Sequence, residues 1–236
     1  MAEFTPKFAP IVVLLFLGSV SLLGFSLVVL LYGTVRRSSL FAKLGRGTAL
    51  TVGIAYFILL GGVSFASSEK VLPPGGQKYF CEIDCHLAYS VVDVQSAGAF
   101  GPEMQQITAQ GKFEIVRVKT WFDEKTISPK RGNGPLTPNR RRVLLVDEKG
   151  RRFSPSLEGQ TALARNNGST TPLTQPLRPG ESYTTDLIFD VPNDAERLRL
   201  LIVEDDPETH FVIGHENSLY HKKIYLGLEA MRIPGA

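Results

Sequence analysis

Two long stretches without a charged side chain, both near the N-terminus, constrain the fold most. No Asp, Glu, Lys or Arg lies between Lys7 and Arg36, and none lies between Arg46 and Glu69. The first stretch contains VVLLFLGSVSLLGFSLVVLL, which as a helix exceeds the ~30 Å of a bilayer hydrocarbon core. Backbone polar groups in hydrocarbon must be hydrogen-bonded within their own segment, so both stretches are predicted to be α-helical. We expect transmembrane helices at 8–35 and 47–66, forming an N-terminal hairpin within residues 1–70.

The connection between the two stretches predicts the orientation of the hairpin. Residues 36–46 contain four basic side chains and no acidic one: Arg36, Arg37, Lys43 and Arg46. Short basic loops stay cytoplasmic, so we expect a multi-pass protein of the cytoplasmic membrane with an extracytoplasmic C-terminal domain. A cleaved signal peptide is the alternative for the first stretch, although signal peptides usually have a much shorter apolar region of about 7–15 residues.

The two predicted helices contain several small residues and no charged ones. Because neither span contains Asp, Glu, Lys, Arg or His, the hairpin alone is not expected to transport ions or substrates. Small side chains allow two helices to approach closely in a membrane. The positions expected to permit this packing are Gly18, Ser21, Gly24, Gly61 and Gly62.

The remainder of the chain has the pattern of a β domain. Residues 71–77 (VLPPGGQ) predict a Pro/Gly linker, and 78–236 then form the extracytoplasmic domain. Short runs rich in aromatic and β-branched residues alternate with turns, and predict about seven strands in an immunoglobulin-like antiparallel sandwich, with a closed barrel as the alternative. The predicted strand regions are 78–95, 112–122, 142–147, 151–154, 182–191, 197–203 and 224–232.

Two finer features of this domain are also predicted. The polar/apolar alternation slips at Ile115-Val116, which suggests a β-bulge in the strand 112–122. The stretches 127–139 and 157–173 are polar and rich in Gly and Pro, so we expect long loops of the kind that often contact partners.

Five sequence elements between about residues 112 and 203 resemble one class of domain. In order they are VRVKTWF (116–122), LVDEKGRRF (145–153), LRPGES (177–182), FDVP (189–192) and LRLLI (198–202). This pattern is similar to a widespread class of bacterial, membrane-anchored extracytoplasmic immunoglobulin-like domains, mostly of unknown function. The resemblance implies a domain that binds or scaffolds other molecules. It carries over no catalytic residues, because the class has no catalytic signature.

Known catalytic motifs are absent from the sequence. There is no G-x-S-x-G nucleophile motif, and His215-Glu216 is followed by Asn217, Ser218 and Leu219, which does not make an H-E-x-x-H zinc helix. Basic residues are interspersed with acidic ones, so a nucleic-acid partner is not expected. We therefore predict a protein that is not an enzyme.

One cluster could carry chemistry: Cys81-Glu82-Ile83-Asp84-Cys85-His86, which contains both cysteines of the chain. In one extended strand the cysteines would be about 13 Å apart, whereas a disulfide needs Cα atoms about 4.4–6.8 Å apart. A turn at 83–84 would bring them together. The alternatives are a structural disulfide, unlinked buried cysteines, or a copper or zinc site. In the last case the additional ligand would come from His210, His215 or His221.

The polar stretch 210–223 gives the second candidate site. A partner-binding loop would use Glu216, Asn217, His221 and Lys222. The alternative is a hydrogen-bonded corner in which Asn217 and Ser218 bond turn backbone and His221 caps a neighbour. Together these observations predict a membrane-anchored extracytoplasmic binding or scaffolding protein, whose partners are the lipid bilayer and a protein of the cell envelope. No cofactor is expected, and the alternative function is copper or zinc binding or delivery.

Overall fold

The computed structural model of the chain describes residues 9–82, 85–102, 106–166 and 168–228. The chain divides into two compact units. Among the described residues, the helical unit comprises 9–68 and 206–222. The sandwich unit comprises the described residues of 69–205 and 223–228.

The helical unit contains two long helices, α1 (Ala9–Val35) and α2 (Ser39–Ala66). Both are long and apolar enough to cross a membrane, as judged by length and composition. The predicted connection at 36–46 is shorter than expected, because α2 starts at Ser39 and therefore includes Lys43 and Arg46. The residues Leu40 to Leu44 are good helix formers, so nothing in them stops the helix from beginning early.

The two helices pack through a different set of small residues from the predicted one. A Cβ atom on Gly33 would lie 2.4 Å from the backbone N of Ala42, and one on Gly45 would lie 2.6 Å from the backbone N of Leu30. No atom lies within 4 Å of such a position on Gly18, Gly24 or Gly62, Gly61 reaches only Phe65 of its own helix, and Ser21 is exposed. The predicted positions were wrong because they lie off the packed face of each helix.

The sandwich unit contains two sheets. One has the strand order β1-β9-β8-β5-β6 and the other β2-β3-β4-β7, and all pairs are antiparallel except β1 with β9. The core between them contains Tyr89, Val116, Phe122, Phe189 and Ile202. The prediction of two apolar helices followed by a domain of antiparallel sheets is confirmed. The strands are β1 (Lys70–Leu72), β2 (Lys78–Glu82), β3 (Cys85–Phe100), β4 (Ile107–Asp123), β5 (Arg141–Val146), β6 (Arg152–Phe153), β7 (Ser182–Val191), β8 (Arg199–Glu204) and β9 (Ile224–Gly227).

Two predicted connections contain regular structure instead. The linker predicted at 71–77 begins inside β1, which pairs with β9 from Lys70 to Leu72. The loop predicted at 157–173 begins with a helix, α3 (Leu157–Arg165), whose N-cap Ser156 accepts a hydrogen bond from the backbone N of Gly159 at 3.1 Å. Leu163 of α3 packs with Phe113 and Ile188. The buried positions of α3, Gly159, Ala162 and Leu163, form too short a pattern to indicate a helix from sequence.

The predicted bulge at Ile115-Val116 is in the wrong place. β4 pairs with β7 without interruption from Lys112 to Trp121. In the pairing of β3 with β4, Val92 of β3 is the extra residue at the first register shift, and at the second shift residues 109–112 of β4 lie against Gly98 of β3. Ile115 packs against the cluster that includes Leu163 of α3, whereas Val116 faces the core. The alternation is lost because α3 covers the outer face of the sheet, so both sides of β4 are apolar there.

Candidate functional site

The cysteine cluster forms the end of a β-hairpin. β2 and β3 are antiparallel neighbours, with Cys81 opposite His86 and Glu82 opposite Cys85. Residues 83 and 84, where a turn was predicted as one possibility, lie outside the described residues, as does the side chain of Cys85. Cys81 is exposed and is not part of a disulfide, and its Sγ lies 3.6 Å from the carbonyl oxygen of Glu82. The cluster is therefore not one extended strand, and Cys81 is a thiol.

His86 occupies the middle of a cross-strand row. Its neighbours in the register are Cys81 on β2 and Asp123 on β4. The side chain is only 6% exposed, and neither ring nitrogen has a hydrogen-bond partner among the described residues. Burial lowers the pKa of His86, and the charge of Asp123 opposes this only in part. His86 is consequently a neutral imidazole at neutral pH.

The ligand set of the metal hypothesis is only partly assembled. Cys81 and His86 lie opposite each other in the sandwich unit, whereas His210, His215 and His221 belong to the helical unit. Across the described ranges, no group of three or more His, Cys, Asp and Glu side chains could hold a metal ion. The two residues that do meet are fewer than the three or four protein ligands of known zinc sites.

The polar stretch at the second candidate site lies between β8 and β9 in the sequence. In the structure it packs on the helices. Tyr56 Oη on α2 donates a hydrogen bond to the carbonyl oxygen of Phe211 at 2.6 Å. Tyr56, Leu60 and Ile213 form a buried apolar cluster. Phe65 and Tyr220 stack with ring centroids 5.3 Å apart. The sequence carried a signal for this docking in the apolar residues that interrupt the polar stretch, Phe211 to Ile213 and Leu219 to Tyr220.

Two of the four predicted partner-binding side chains, Asn217 and His221, are buried within the stretch. Asn217 is buried, and its Nδ2 donates to Thr209 Oγ1 at 3.2 Å. The Ser218 hydroxyl donates to the carbonyl oxygen of Val212. His221 is buried with Nδ1 2.7 Å from the carbonyl oxygen of Lys222. These contacts are those of a hydrogen-bonded corner.

The remaining predicted residues of this stretch are more accessible. Lys222 is exposed, although its backbone N donates to Ser67 Oγ at 2.8 Å. Glu216 and His215 are half-buried, and His215 Nδ1 accepts from the backbone N of Asn217 at 3.0 Å. His210 Nδ1 lies 2.9 Å from the carbonyl oxygen of Pro207. The three histidines therefore make local contacts within the segment.

Sequence analysis missed a groove on the sandwich unit. It has a volume of about 450 Å³ and is lined by both polar and apolar side chains. It lies beside β5, at the end where β6 no longer pairs: β6 pairs only with Leu145 and Val146, whereas β5 begins at Arg141. Its lining includes Arg140, Arg141, Arg142, Val143, Leu173 and Leu187.

The edge of β5 along this groove carries backbone groups that face away from β8. The backbone N of Asp147 donates to Arg151 on the β6 side, and the carbonyl of Arg140 accepts from Asp205 on the β8 side. Backbone groups alternate in direction along an antiparallel strand. The N–H and C=O groups of Arg141 and Val143 therefore point to the β6 side, beyond the residues with which β6 pairs. Among the described residues no strand pairs with β5 on this side at Arg141 and Val143, so this part of the strand edge is open.

Buried charges support this edge from behind. The Arg141 side chain is fully buried and forms ion pairs with Glu82 and, at 3.1 Å, with Glu204. Its guanidinium lies 4.3 Å from the centre of the Phe80 ring. Burial raises the pKa of Glu82, and the charge of Arg141 opposes this rise. The charge of Arg141 is thus compensated inside the protein.

The mouth of the groove is positively charged. Arg140 and Arg142 are exposed. Arg142 Nε forms a long ion pair with Asp205 Oδ1, at 4.0 Å. Leu173 and Leu187 provide apolar lining. The signal for this site was the run Arg140-Arg141-Arg142, whose members play different roles: the middle one is buried, and the outer two are exposed.

Comparison with known proteins finds solved structures of similar fold but no matching family. No protein-family model matches the sequence, and no curated protein matches it significantly. The solved structures that resemble it include MPT63, a secreted protein of Mycobacterium tuberculosis, with 13% identity, a TM-score of 0.44, and coverage of 69% of this chain and 100% of that one. An uncharacterized β-sandwich protein of Clostridium difficile 630 has 10% identity, a TM-score of 0.37, and coverage of 69% and 96%. The yjhA protein of Bacillus subtilis has 13% identity, a TM-score of 0.40, and coverage of 66% and 99%.

Proposed function

We propose that this chain is a membrane-anchored extracytoplasmic binding protein that docks an extended, acidic segment of an envelope protein. The helices α1 and α2 serve as a multi-pass anchor in the cytoplasmic membrane. The basic residues Arg36, Arg37, Lys43 and Arg46 lie at their connected end, which the positive-inside rule assigns to the cytoplasm. The sandwich unit is then extracytoplasmic. This role requires no catalytic group and no cofactor.

The strand order supports an immunoglobulin-like fold for the sandwich. In that fold, strands A, B and E are neighbours in one sheet, and strands C, F and G in the other, with an added C′ strand beside C in some variants. Here β3-β4-β7 has the order of A-B-E, and β9-β8-β5-β6 has the order of G-F-C-C′. Domains of this kind commonly bind other proteins through loops and exposed edges.

The open edge of β5 is the observation on which the proposal depends. An extended peptide can add to a strand edge through main-chain hydrogen bonds, while pockets for alternate side chains give specificity. The backbone groups of Arg141 and Val143 are oriented for such bonds. Arg140 and Arg142 at the mouth match acidic side chains, because charge complementarity favours specific association. The partner is therefore predicted to bind as an added strand with Asp or Glu residues.

Site-specific photocrosslinking in intact membranes tests this proposal. A benzophenone amino acid replaces Thr174 in the groove, and the control replaces the exposed Thr161 on α3. We expect one discrete protein adduct from position 174 and none from 161, with the crosslinked peptide carrying Asp or Glu residues. Identical adducts from both positions, or a crosslinked peptide without acidic residues, would contradict the proposal.

Charge reversal at the mouth of the groove gives the matched second test. The double variant Arg140→Glu/Arg142→Glu should abolish the adduct from position 174, because it replaces attraction to an acidic segment with repulsion. Lys130→Glu makes a similar charge change at an exposed residue away from the groove lining and should leave the adduct intact. Equal adduct yields in the double variant and the wild type would rule out an acidic partner.

A further inference from the structure

The helices are longer than a bilayer core requires. α1 has 27 residues and α2 has 28, so they are roughly 40 and 42 Å long at about 1.5 Å per residue. A hydrocarbon core of ~30 Å leaves about 10 Å or more of each helix in excess. This excess must be accommodated at one end of the hairpin or by tilting.

The segment Asp206–Lys222 lies against the end of the hairpin opposite its basic connection. Tyr56, which binds the carbonyl of Phe211, is ten residues before Ala66, the last residue of α2. At about 1.5 Å per residue, α2 therefore continues roughly 15 Å beyond this contact. Leu60 packs with Ile213, and Phe65 stacks on Tyr220 further along α2. The segment therefore covers one side of α2 from Tyr56 to Phe65, at the end of the hairpin where α2 finishes.

The segment is built in a way that suits an environment with little water. Non-helical backbone at membrane depth is tolerated only where its polar groups are satisfied by protein or by a water-filled cavity. A ladder of turns satisfies part of this backbone internally: the backbone N–H groups of residues 209, 212, 215, 218 and 221 each donate to the carbonyl three residues earlier. Its buried polar side chains are Thr209, Asn217, Ser218 and His221, none of which is an acid or a Lys or Arg.

The outward side of the segment carries large apolar and aromatic side chains together with two charged ones, Glu208 and Lys222. Six large apolar side chains are exposed in the described chain outside α1 and α2: Val71, Val92, Leu157, Phe211, Leu219 and Tyr220. Three of these fall within the 17 residues of this segment, and Tyr220 is 72% exposed. Aromatic side chains of this amphipathic type are enriched where a membrane meets water, and the adjacent exposed Lys222 suits anionic headgroups.

From these observations we infer that Asp206–Lys222 is a membrane-interface element. It lies on the extracytoplasmic end of the hairpin, within the headgroup region and upper acyl region of the outer leaflet. Phe211, Leu219 and Tyr220 contact lipid. The inference rests on the proposed membrane anchor, and it adds that the polar insertion between β8 and β9 is itself seated in the bilayer.

Tryptophan quenching by brominated lipid tests this inference on the full chain. The chain has one Trp, so Trp121→Phe provides a silent background in which Phe211→Trp and Tyr220→Trp are made singly. Each protein is reconstituted in vesicles of phosphatidylcholine and phosphatidylglycerol, with or without dibrominated acyl chains. Phe25→Trp, at an exposed position in the middle of α1, sets the level for a lipid-facing residue, and Leu157→Trp on α3 sets the level for the sandwich unit.

We expect quenching at positions 211 and 220 to approach that at position 25 and to exceed that at position 157 several-fold. Leu219→Trp repeats the measurement if either of the first two variants fails to fold. Quenching at 211, 219 and 220 equal to that at 157, with strong quenching at 25, would overturn the interface element and leave the anchor intact. Absence of quenching at position 25 would overturn the anchor, and the interface element with it.

Discussion

The two units of this protein bury different kinds of polar groups. In the sandwich unit the buried polar side chains are largely acidic or basic: Lys78, Glu82, Asp123, Asp186 and Glu204 are all nearly inaccessible. In the helical unit none of the buried polar side chains among the described residues is Asp, Glu, Lys or Arg; they are Ser26, Ser64, Thr209, Asn217, Ser218 and His221. Each ion in the sandwich unit is expected to need a partner, since an unpaired buried charge costs several kcal/mol. A neutral hydroxyl or amide requires only a nearby carbonyl.

This difference is the one expected if the units fold in different solvents. A domain surrounded by water can bury charged side chains and provide hydrogen-bond partners for them. Lys78 Nζ, for example, donates to the carbonyl oxygens of Ile202 and Ile224 at 2.7 and 2.8 Å. A unit surrounded by lipid has no water from which to take such charges, and ionisable groups there are costly. Ser26 and Tyr56 instead donate to the carbonyls of Leu22 and Phe211. The contrast can be tested by removing one partner from each system.

Removal of the buried cation of the sandwich should have the largest effect. Arg141→Met takes away the charge that Glu82 and Glu204 share, and breaking a buried ion pair typically costs about 3–5 kcal/mol. We expect the free energy of unfolding of the sandwich unit to fall by this amount. Urea unfolding of the full chain in detergent, followed by the fluorescence of Trp121 on β4, measures it.

A compensated variant distinguishes charge from packing. In Glu82→Leu/Arg141→Met/Glu204→Leu, no charge of the triad remains, and replacing a whole buried ion cluster with apolar residues is often neutral. This variant should recover most of the stability lost in Arg141→Met. If it is as unstable as the single variant, the loss came from packing around Phe80 and not from an unpaired charge.

The helical unit should be more sensitive to shape than to charge. Gly45→Val places a Cβ atom 2.6 Å from the backbone of Leu30 on the neighbouring helix, whereas Gly53→Val places it in open space on the same helix. Overpacking of this kind costs about 1–3 kcal/mol. We expect the SDS concentration at the unfolding midpoint in mixed micelles to fall for Gly45→Val. Both variants introduce the same β-branched residue, so equal midpoints would show that the helices are not packed through Gly45.

These two regions also differ in how far sequence could predict them. The spans and strands were found because their patterns are local: uncharged runs for α1 and α2, and alternation for strands such as β7. The helix contact at Gly33 and Gly45 was missed because every glycine looks alike in a helix, and the face that packs depends on the partner. Helix α3 was missed because only three of its nine residues, Gly159, Ala162 and Leu163, are buried, and two of these are small.

The candidate sites were predicted less completely, because they depend on long-range pairing. The order of Cys81 and His86 in the sequence does not reveal that they lie opposite each other across a hairpin. The open edge at Arg141 exists only because β6 is two residues long. The position of Asp206–Lys222 on the helices requires contacts between residues more than 150 positions apart, such as Tyr56 and Phe211.

A single neutral hydrogen bond in the helical unit should matter less than the two changes above. Tyr56→Phe removes the donor to the carbonyl of Phe211, a contact of about 0.5–1.5 kcal/mol. We expect faster amide hydrogen exchange within Asp206–Lys222. Tyr32→Phe, which removes the hydroxyl of an exposed tyrosine on α1, is the control and should leave that exchange unchanged. Equal exchange in both variants would mean that the Tyr56 hydroxyl does not hold the segment.

The smallest effect should come from titration of His86 in the sandwich unit. Burial lowers its pKa from the usual value of about 6.5, so the unfolded chain takes up a proton at a higher pH than the folded chain does. The free energy of unfolding should therefore be constant above about pH 7 and fall as the pH drops from about 6.5 through the lowered pKa. His86→Phe removes the group, and its stability should decline less between pH 7.5 and 5.5 than that of the wild type. Burial raises the pKa of Glu82, so the folded protein binds this proton more tightly than the unfolded chain does. Glu82 therefore adds stability as the pH falls, which is opposite to the effect of His86. The comparison must therefore be made at the same two pH values in both proteins, and parallel curves would show that His86 is hydrated or protonated in the folded sandwich.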